Sequence, residues 1–307
     1  RAIVNPTAGG GRCRRQWPQI LARLLAVTSQ LSVRWTTGPT AATALTRSAL
    51  NDGVDRIVAV GGDGTVHEVV NGFFHGTTPI APEAVLAHVP VGTGSDFGRS
   101  LGVAAGCAAV DRLGSARPHS IDLLRVTVTT DAGRTTRHVA NIASFGLGGV
   151  VVRAVRRLRA RALVGGRLAY LGGILYGLAV HPPPVVALTL DGAPLGRCRV
   201  HAGVVANGCT FGGGLRIAPD ARLDDGRLHL VVVHDLPVPR LLRHALRFYR
   251  GTHTMLDGVT AGSGRRVSAR PTTDAPVFVE LDGEPIGRLP ATFEIVPDAM
   301  RVQGGWC

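Results

Sequence analysis

Three short apolar runs early in the chain each end in a glycine-rich turn: "AIV" runs into "NPTAGGGR", "RIVAV" into "GGDGT" and "VLAHVPV" into "GTGSDFGR". A buried strand that turns sharply toward a helix, three times over, describes successive βα units of a parallel sheet. The segments between agree, with helices expected from about Arg14 to Leu25, across "TAATALTRSALNDG", and from Thr65. In an open parallel sheet the ligand crevice lies beyond the carboxyl ends of the strands, so the three turns should line one site. Glycine lets backbone N–H groups approach a phosphate with no Cβ in the way. The helix entered at Thr65 adds a positive N-terminal end. Taken singly, each turn reads equally as a tight connection. Together they read as a phosphate cradle, although neither the P-loop nor the G-x-G-x-x-G pattern is present.

Asp63 stands in the middle of "GGDGT". A carboxylate among amides that face phosphate makes sense if a divalent cation or its waters lie between them, since Mg2+ is commonly held by one or two carboxylates plus substrate phosphates.

From "SIDLLRVTVTT" onward the strands are closely spaced, with turns at "TDAGR", "LDGAPLG" and "LDDGR". That spacing predicts mostly antiparallel β structure. The chain of 307 residues exceeds what one core usually fills, ~250 to 300 residues. The expected fold is α/β plus all-β. A Rossmann-like parallel-sheet nucleotide domain covers 1–121, completed by 292–307 through the short strand "TFEIVP", and an antiparallel β-sandwich domain covers 122–291.

All 34 basic residues are arginine, and the net charge of +13 predicts attraction to polyanions. Nucleic acid is a poor candidate, because only 5% of residues are aromatic and no stacking platform is visible. Five widely spaced cysteines without a C-x-x-C pair point to a reducing compartment and no zinc cage. The opening "RAIVNPTAGG" lacks the regions of a signal peptide, so a cytoplasmic location is expected. One apolar run, Leu168 to Val180, is short of the ~20 residues a bilayer core needs. Before it, Arg153, Arg156, Arg157, Arg159, Arg161 and Arg167 alternate with apolar residues. They form either a solvated basic helix packed on its own domain or a membrane-facing one.

"NPTAGGGR", "GGDGTVHEVVNG" and "PVGTGSDFGRSLG", followed in order by "SIDL", "DARLDDGRL" and "VELDGEPIG", resemble the diacylglycerol kinase catalytic-domain family, which includes bacterial lipid kinases and the sphingosine and ceramide kinases. The resemblance implies a phosphofructokinase-like nucleotide domain. It implies that Gly61, Gly62, Asp63, Gly64 and Thr65 bind ATP phosphates with Mg2+, that Glu68 orients this loop, and that Asn5, Gly92, Thr93, Gly94, Ser95 and Asp96 complete the nucleotide site. It further implies that Asp122 lies near the metal network, and that Asp282 is the general base supported by Glu284. A second, structural Mg2+ is implied at Asp225, with backbone carbonyls from Arg222 and Arg227. Two departures stand out. Gly10 and Gly11 occupy a region where many members carry a basic residue, leaving Arg12 or Arg14 to supply the charge, and Ser95 stands where the family often has Asn.

Without the family, "LDGEPIG" reads equally as an ordinary Asp-Gly hairpin. With it, the expected activity is ATP- and Mg-dependent phosphorylation of diacylglycerol or a related lipid by a protein peripheral to the inner membrane face, with homodimers through the β-rich domain as a family-level expectation. The alternatives are a kinase of a soluble hydroxyl compound and a non-catalytic nucleotide or lipid sensor.

Overall fold

Alternation along the early strands decides the layers. β1 (Ala2–Val4), β3 (Arg56–Gly61) and β6 (Val85–Pro90) are buried along nearly their whole lengths, as strands covered on both faces must be. The computed structural model describes residues 1–28, 30–92, 94–151, 172–173, 176–178 and 182–304. In it Ile3, Ile57, Ala59 and Leu86 pack against Ala42 and Leu50 of α2 (Ala41–Asn51) and Val66 and Val70 of α3 (Asp63–Gly72). Their neighbours along the strands, Val4, Val58, Val60 and Val89, point the other way. They meet Trp17, Ile20 and Leu24 of α1 (Ala8–Val27), together with Val110 and Leu113 of a later helix, Cys107–Leu113. With β2 (Val33–Trp35) at the edge, the strand order is β2-β1-β3-β6, and every pairing within it is parallel.

The sheet continues past β6. β16 (Glu284–Gln303) lays Arg301–Gln303 parallel to Val85–Ala87 of β6, and its earlier residues pair antiparallel with β7 (Pro118–Thr130), β14 (Arg266–Pro271) and β15 (Phe278–Leu281). The "TFEIVP" expected as a short strand is therefore the middle of one of 20 residues. Pro290 and Pro297 lie inside it, although proline interrupts a ladder. The chain instead absorbs them at two register shifts, Arg288/Ala291 and Val296/Met300.

The remaining ladders are antiparallel: β8 (Gly133–Val139) on β7, β9 (Ile142–Gly146) on β11 (Ala193–Ala206) and β15, and β10 (Val185–Leu190) on β11 and β14. β12 (Leu228–His234) pairs with β11, and β13 (Val259–Gly264) with β12. A minor hairpin of β4 (Phe74–His75) and β5 (Thr78–Pro79) stands apart. Leu124, Val126, Phe145, Leu188, Val205, Val267, Val279 and Phe293 fill the core of this half.

Among the described residues no helix is long and apolar enough to cross a membrane. The arginine-rich segment and the apolar run after it lie almost wholly outside the described residues, as does Thr93.

Candidate active site

The three glycine turns meet. Asn5 Nδ2 of the first donates to Thr65 Oγ1 of the second at 3.0 Å. Gly9, with φ of 62°, lies so close to the third that a Cβ there would fall 2.4 Å from the Val91 carbonyl oxygen. A Cβ on Gly92 would stand 2.6 Å from the Gly62 Cα. Contact at this distance is open only to glycine, which explains the residue type at both positions. Thr65 and Val66 N–H both return to the Gly62 carbonyl, so the amides of Gly62, Asp63 and Gly64 precede the first intrahelical bond at the positive end of α3. Ser95, at φ of 50°, donates to the Gly92 carbonyl at 3.3 Å and opens the short helix α4 (Asp96–Ser100). Arg12 is exposed beside the first turn.

Two carboxylates share the space between the second and third turns. Asp63 Oδ1 accepts the Phe97 N–H at 3.1 Å, while a Cβ on Gly94 would lie 2.9 Å from Asp63 Oδ2 and 3.5 Å from Asp96 Oδ2. Asp96 accepts from Arg99 Nη1 and the Gly213 N–H, both at 2.8 Å. Burial, then the charge of Asp96, push the Asp63 carboxyl up to about 6. Burial also raises Asp96. Neighbouring buried carboxylates that disfavour each other's ionisation are relieved by a hard cation, and oxygen donors at a phosphate turn suit Mg2+. The residues present therefore fit the metal that a kinase of this pattern uses.

The "DGE" segment closes the site from the antiparallel half. Leu281 pairs with Glu284 across a turn in which Asp282 and Gly283 have φ of 50° and 82°, a two-residue hairpin with both central residues left-handed. The backbone is thus the ordinary Asp-Gly hairpin, and its side chains do something further. Asp282 Oδ1 accepts the N–H groups of Asn141 and Ile142 at 3.2 and 3.0 Å. Its Oδ2 accepts the Ala140 N–H at 3.3 Å and meets His67 Nδ1 at 3.1 Å. Glu284 reaches the second glycine turn itself, where a Cβ on Gly64 would lie 3.0 Å from its Oε1. Below the turn, the buried Glu280 accepts from Ser144 Oγ at 2.8 Å and from the Gly283 N–H at 2.7 Å.

Comparison with known proteins agrees with this geometry. The diacylglycerol kinase catalytic domain matches residues 1–126, and the YegS C-terminal NAD kinase beta sandwich-like domain matches residues 140–304. The diacylglycerol kinase of Bacillus subtilis is 30% identical over 301 residues, covering 95% of this chain and 92% of its own. The chain belongs to the diacylglycerol kinase family. A Stenotrophomonas maltophilia protein named "Probable lipid kinase YegS-like" is 33% identical over 282 residues, 89% of this chain and 86% of its own. A solved diacylglycerol kinase of Bacillus anthracis shares the fold, with a TM-score of 0.71 over 99% of this chain and 95% of that one, at 21% identity. Membership makes this chain a phosphotransferase with an alcohol group as acceptor, built as mixed α/β with a sandwich-like C-terminal domain.

Three residues that resemblance to the diacylglycerol kinase family implies at the site are held by contacts of their own. Glu68 caps a different helix: its Oε1 and Oε2 accept the Thr40 and Ala42 N–H groups at the start of α2, at 2.8 and 3.0 Å. One turn along α3 from Gly64, it faces α2 because that helix packs there. Asp122 is a buried clasp, accepting the Gly226 N–H at 2.7 Å and the Asp298 N–H at 3.0 Å. Asp225 Oδ1 accepts the Arg227 N–H at 2.9 Å and its Oδ2 meets His229 Nε2 at 3.0 Å. Arg222, two residues before Asp224, turns its guanidinium to that residue at 3.3 Å. Each Asp225 oxygen thus holds one donor, as each Asp96 oxygen does, and a magnesium ion here would compete with His229 for Oδ2.

Two further residues belong to the candidate site by position alone. His67 lies inside "GGDGTVHEVVNG" and Glu280 inside "VELDGEPIG". A signal was present for the first, since position 67 falls one helical turn past Asp63 and so on its face. None was visible for Glu280, whose role depends on which strand covers it.

Proposed function

We propose that this chain transfers the γ-phosphate of ATP to the hydroxyl of diacylglycerol or a related lipid, with Asp63 and Asp96 holding Mg2+ and Asp282 acting as general base. The observation that carries the reading is the docking of the "DGE" hairpin on the first turns of α3, with Glu284 against Gly64 and Asp282 against His67. A carboxylate beside a glycine turn supports the reading, because in-line phosphoryl transfer needs a base and a phosphate cradle in one place.

Residues 1–121 with 292–307 supply the nucleotide half and 122–291 the lipid half. The amides of Gly62, Asp63 and Gly64, with those of the third turn, orient the phosphates. Asn5 fixes Thr65, and Arg12 stands at the open edge of the first turn. Asp63 and Asp96 would hold Mg2+, which would supply charge neutralisation to the phosphates. Asp282 takes the proton from the lipid hydroxyl as that oxygen attacks. A second metal at Asp225 forms no part of the proposal.

Labelled ATP with Mg2+ and mixed micelles of diacylglycerol, sphingoid and phosphatidyl lipids tests this reading, beside Asp282→Asn and Asp63→Ala. Phosphate on one lipid, lost in both variants, supports it and names the substrate. Transfer only to a soluble hydroxyl compound overturns the lipid half, and full activity in Asp282→Asn overturns the base.

A further inference from the structure

Two short helices after β12, Val238–Arg243 and Ala245–Arg250, contribute no buried residue. Only Phe248, partly buried against Ile217 and its neighbours, ties the pair to a core, so the rest of its apolar composition needs another reason. Leu242, Leu246, Tyr249 and the nearby Met255 are 48%, 66%, 51% and 83% exposed, four of the nine large hydrophobics exposed among the described residues. Leu242, Leu246 and Tyr249 recur at helical spacing, and Arg243, Arg247 and Arg250 run beside them one residue later, with Arg240 at the start. Among the described residues only Arg240 of these four is in an ion pair, 3.7 Å from a fully exposed Asp257. His244, between them, is held below its ordinary value by desolvation and then by Arg247, Arg243 and Arg240.

An apolar stripe flanked by arginines is the pattern of a surface that lies in a membrane interface, with apolar side chains among the acyl chains and guanidinium groups at the phosphates. A protein partner would need complementary shape. An anionic lipid surface needs only apolar side chains that can insert and positive charge beside them, and the patch has both.

The patch is also wired to the candidate active site. The Arg216 N–H donates to the Phe248 carbonyl of the second helix at 3.0 Å, and three residues earlier the Gly213 N–H donates to Asp96 Oδ2 at 2.8 Å. The segment from Gly213 to Arg216 thus spans from the helix pair to a carboxylate between the glycine turns.

We infer that the Val238–Met255 surface docks the protein on anionic bilayers through Leu242, Leu246, Tyr249 and Met255, with Arg240, Arg243, Arg247 and Arg250 on the lipid phosphates. As the route by which substrate is met, this rests on the lipid reading above; as a binding surface it stands alone. The test is co-sedimentation of the full chain with vesicles of phosphatidylcholine alone and of equimolar phosphatidylcholine and phosphatidylglycerol. Leu242→Glu/Leu246→Glu and a variant with all four arginines changed to Gln are compared with the parent. Since all the altered side chains are solvent-facing, thermal melts should stay within a few degrees of the parent.

The parent should bind the anionic vesicles and weaken as salt rises. Loss of four interfacial charges should weaken binding on the order of a thousandfold, and the double Glu variant should lose it to a similar extent. Parental binding by both variants overturns the inference, as does equal binding to neutral vesicles. A shift from dimer to monomer in the Glu variant with vesicle binding unchanged overturns it in favour of self-association. Phosphate transfer to a short-chain, monomeric diacylglycerol separates the two readings. Retained transfer in the variants with lost vesicle binding supports the docking surface, whereas no transfer by the parent defeats only the lipid-kinase reading.

Discussion

His67 Nδ1 lies 3.1 Å from Asp282 Oδ2, joining residues 215 positions apart with both side chains almost fully buried. The carboxylate sets the tautomer, because Asp282 only accepts and so calls for the proton on Nδ1. Asn71 ties the helix behind the ring to β8, its Oδ1 accepting the His138 N–H at 3.0 Å and its Nδ2 donating to the His67 and His138 carbonyls at 2.8 and 2.9 Å. The helix that follows the phosphate turn therefore fixes the rotamer of the candidate base.

His67→Ala should lower kcat on the order of tenfold to a hundredfold while KM for ATP stays within about threefold, because positioning of a base is felt in the transition state. His67→Asn keeps a side-chain donor near the Nδ1 position and should recover most of that loss. Combined with Asp282→Asn, either substitution should add little. A fall in melting temperature with unchanged kcat would leave His67 a packing residue only.

Glu280 carries the pH dependence. Burial holds its carboxyl up to about 7 from an ordinary 4.5, against the opposing hydrogen bonds from Ser144 and Gly283. Between those values the folded chain keeps a proton that the unfolded chain has released, so the contribution to stability is whole below about pH 4.5, falls as pH rises, and levels off above about 7. The full loss is about 3 kcal/mol. Glu280→Gln can accept from the Gly283 N–H and donate to Ser144, and has no proton to lose. Denaturant melts at about pH 5 and pH 8 should show the parent losing more stability than the variant; parallel losses would remove Glu280 as the cause.

The parallel layers were legible in the sequence because a strand buried on both faces leaves a continuous apolar run, as in "RIVAV", and each run ended in glycine. The convergence of the turns followed from topology. The work of individual carboxylates was not legible. Glu68, Asp122 and Asp225 sit in motifs beside the site, yet each spends its oxygens on whichever amides tertiary packing brings near. The same limit hid the helix pair at Val238–Arg250, whose stripe of leucine, tyrosine and arginine reads as an ordinary amphipathic helix until its exposure is known.

At Asp225, both oxygens are held by His229 and the Arg227 amide, with the two side chains 21% and 15% exposed. Excess EDTA should therefore leave the unfolding midpoint of the purified protein unchanged. His229→Ala and Asp225→Asn should each cost about 1 kcal/mol and be less than additive together, as for partners in a half-buried pair. A midpoint that drops on chelation and returns with Mg2+ would show that His229 yields to a metal.

Gly92→Ala tests whether the glycine turns act as one cradle. The new methyl would stand 2.6 Å from the Gly62 Cα, a backbone atom that can retreat only by moving the phosphate turn with it. Overpacking of this kind costs about 1 to 3 kcal/mol, and here the displacement falls on the amides that would meet the nucleotide. KM for ATP should rise by on the order of tenfold or more, with a loss of a few degrees in melting temperature. Gly38→Ala is the control, because Gly38, like Gly92, has no left-handed φ, while nothing lies within 4 Å of its Cβ. If the two variants lose stability alike and neither changes KM for ATP, the turns connect strands to helices and do not bind the phosphates.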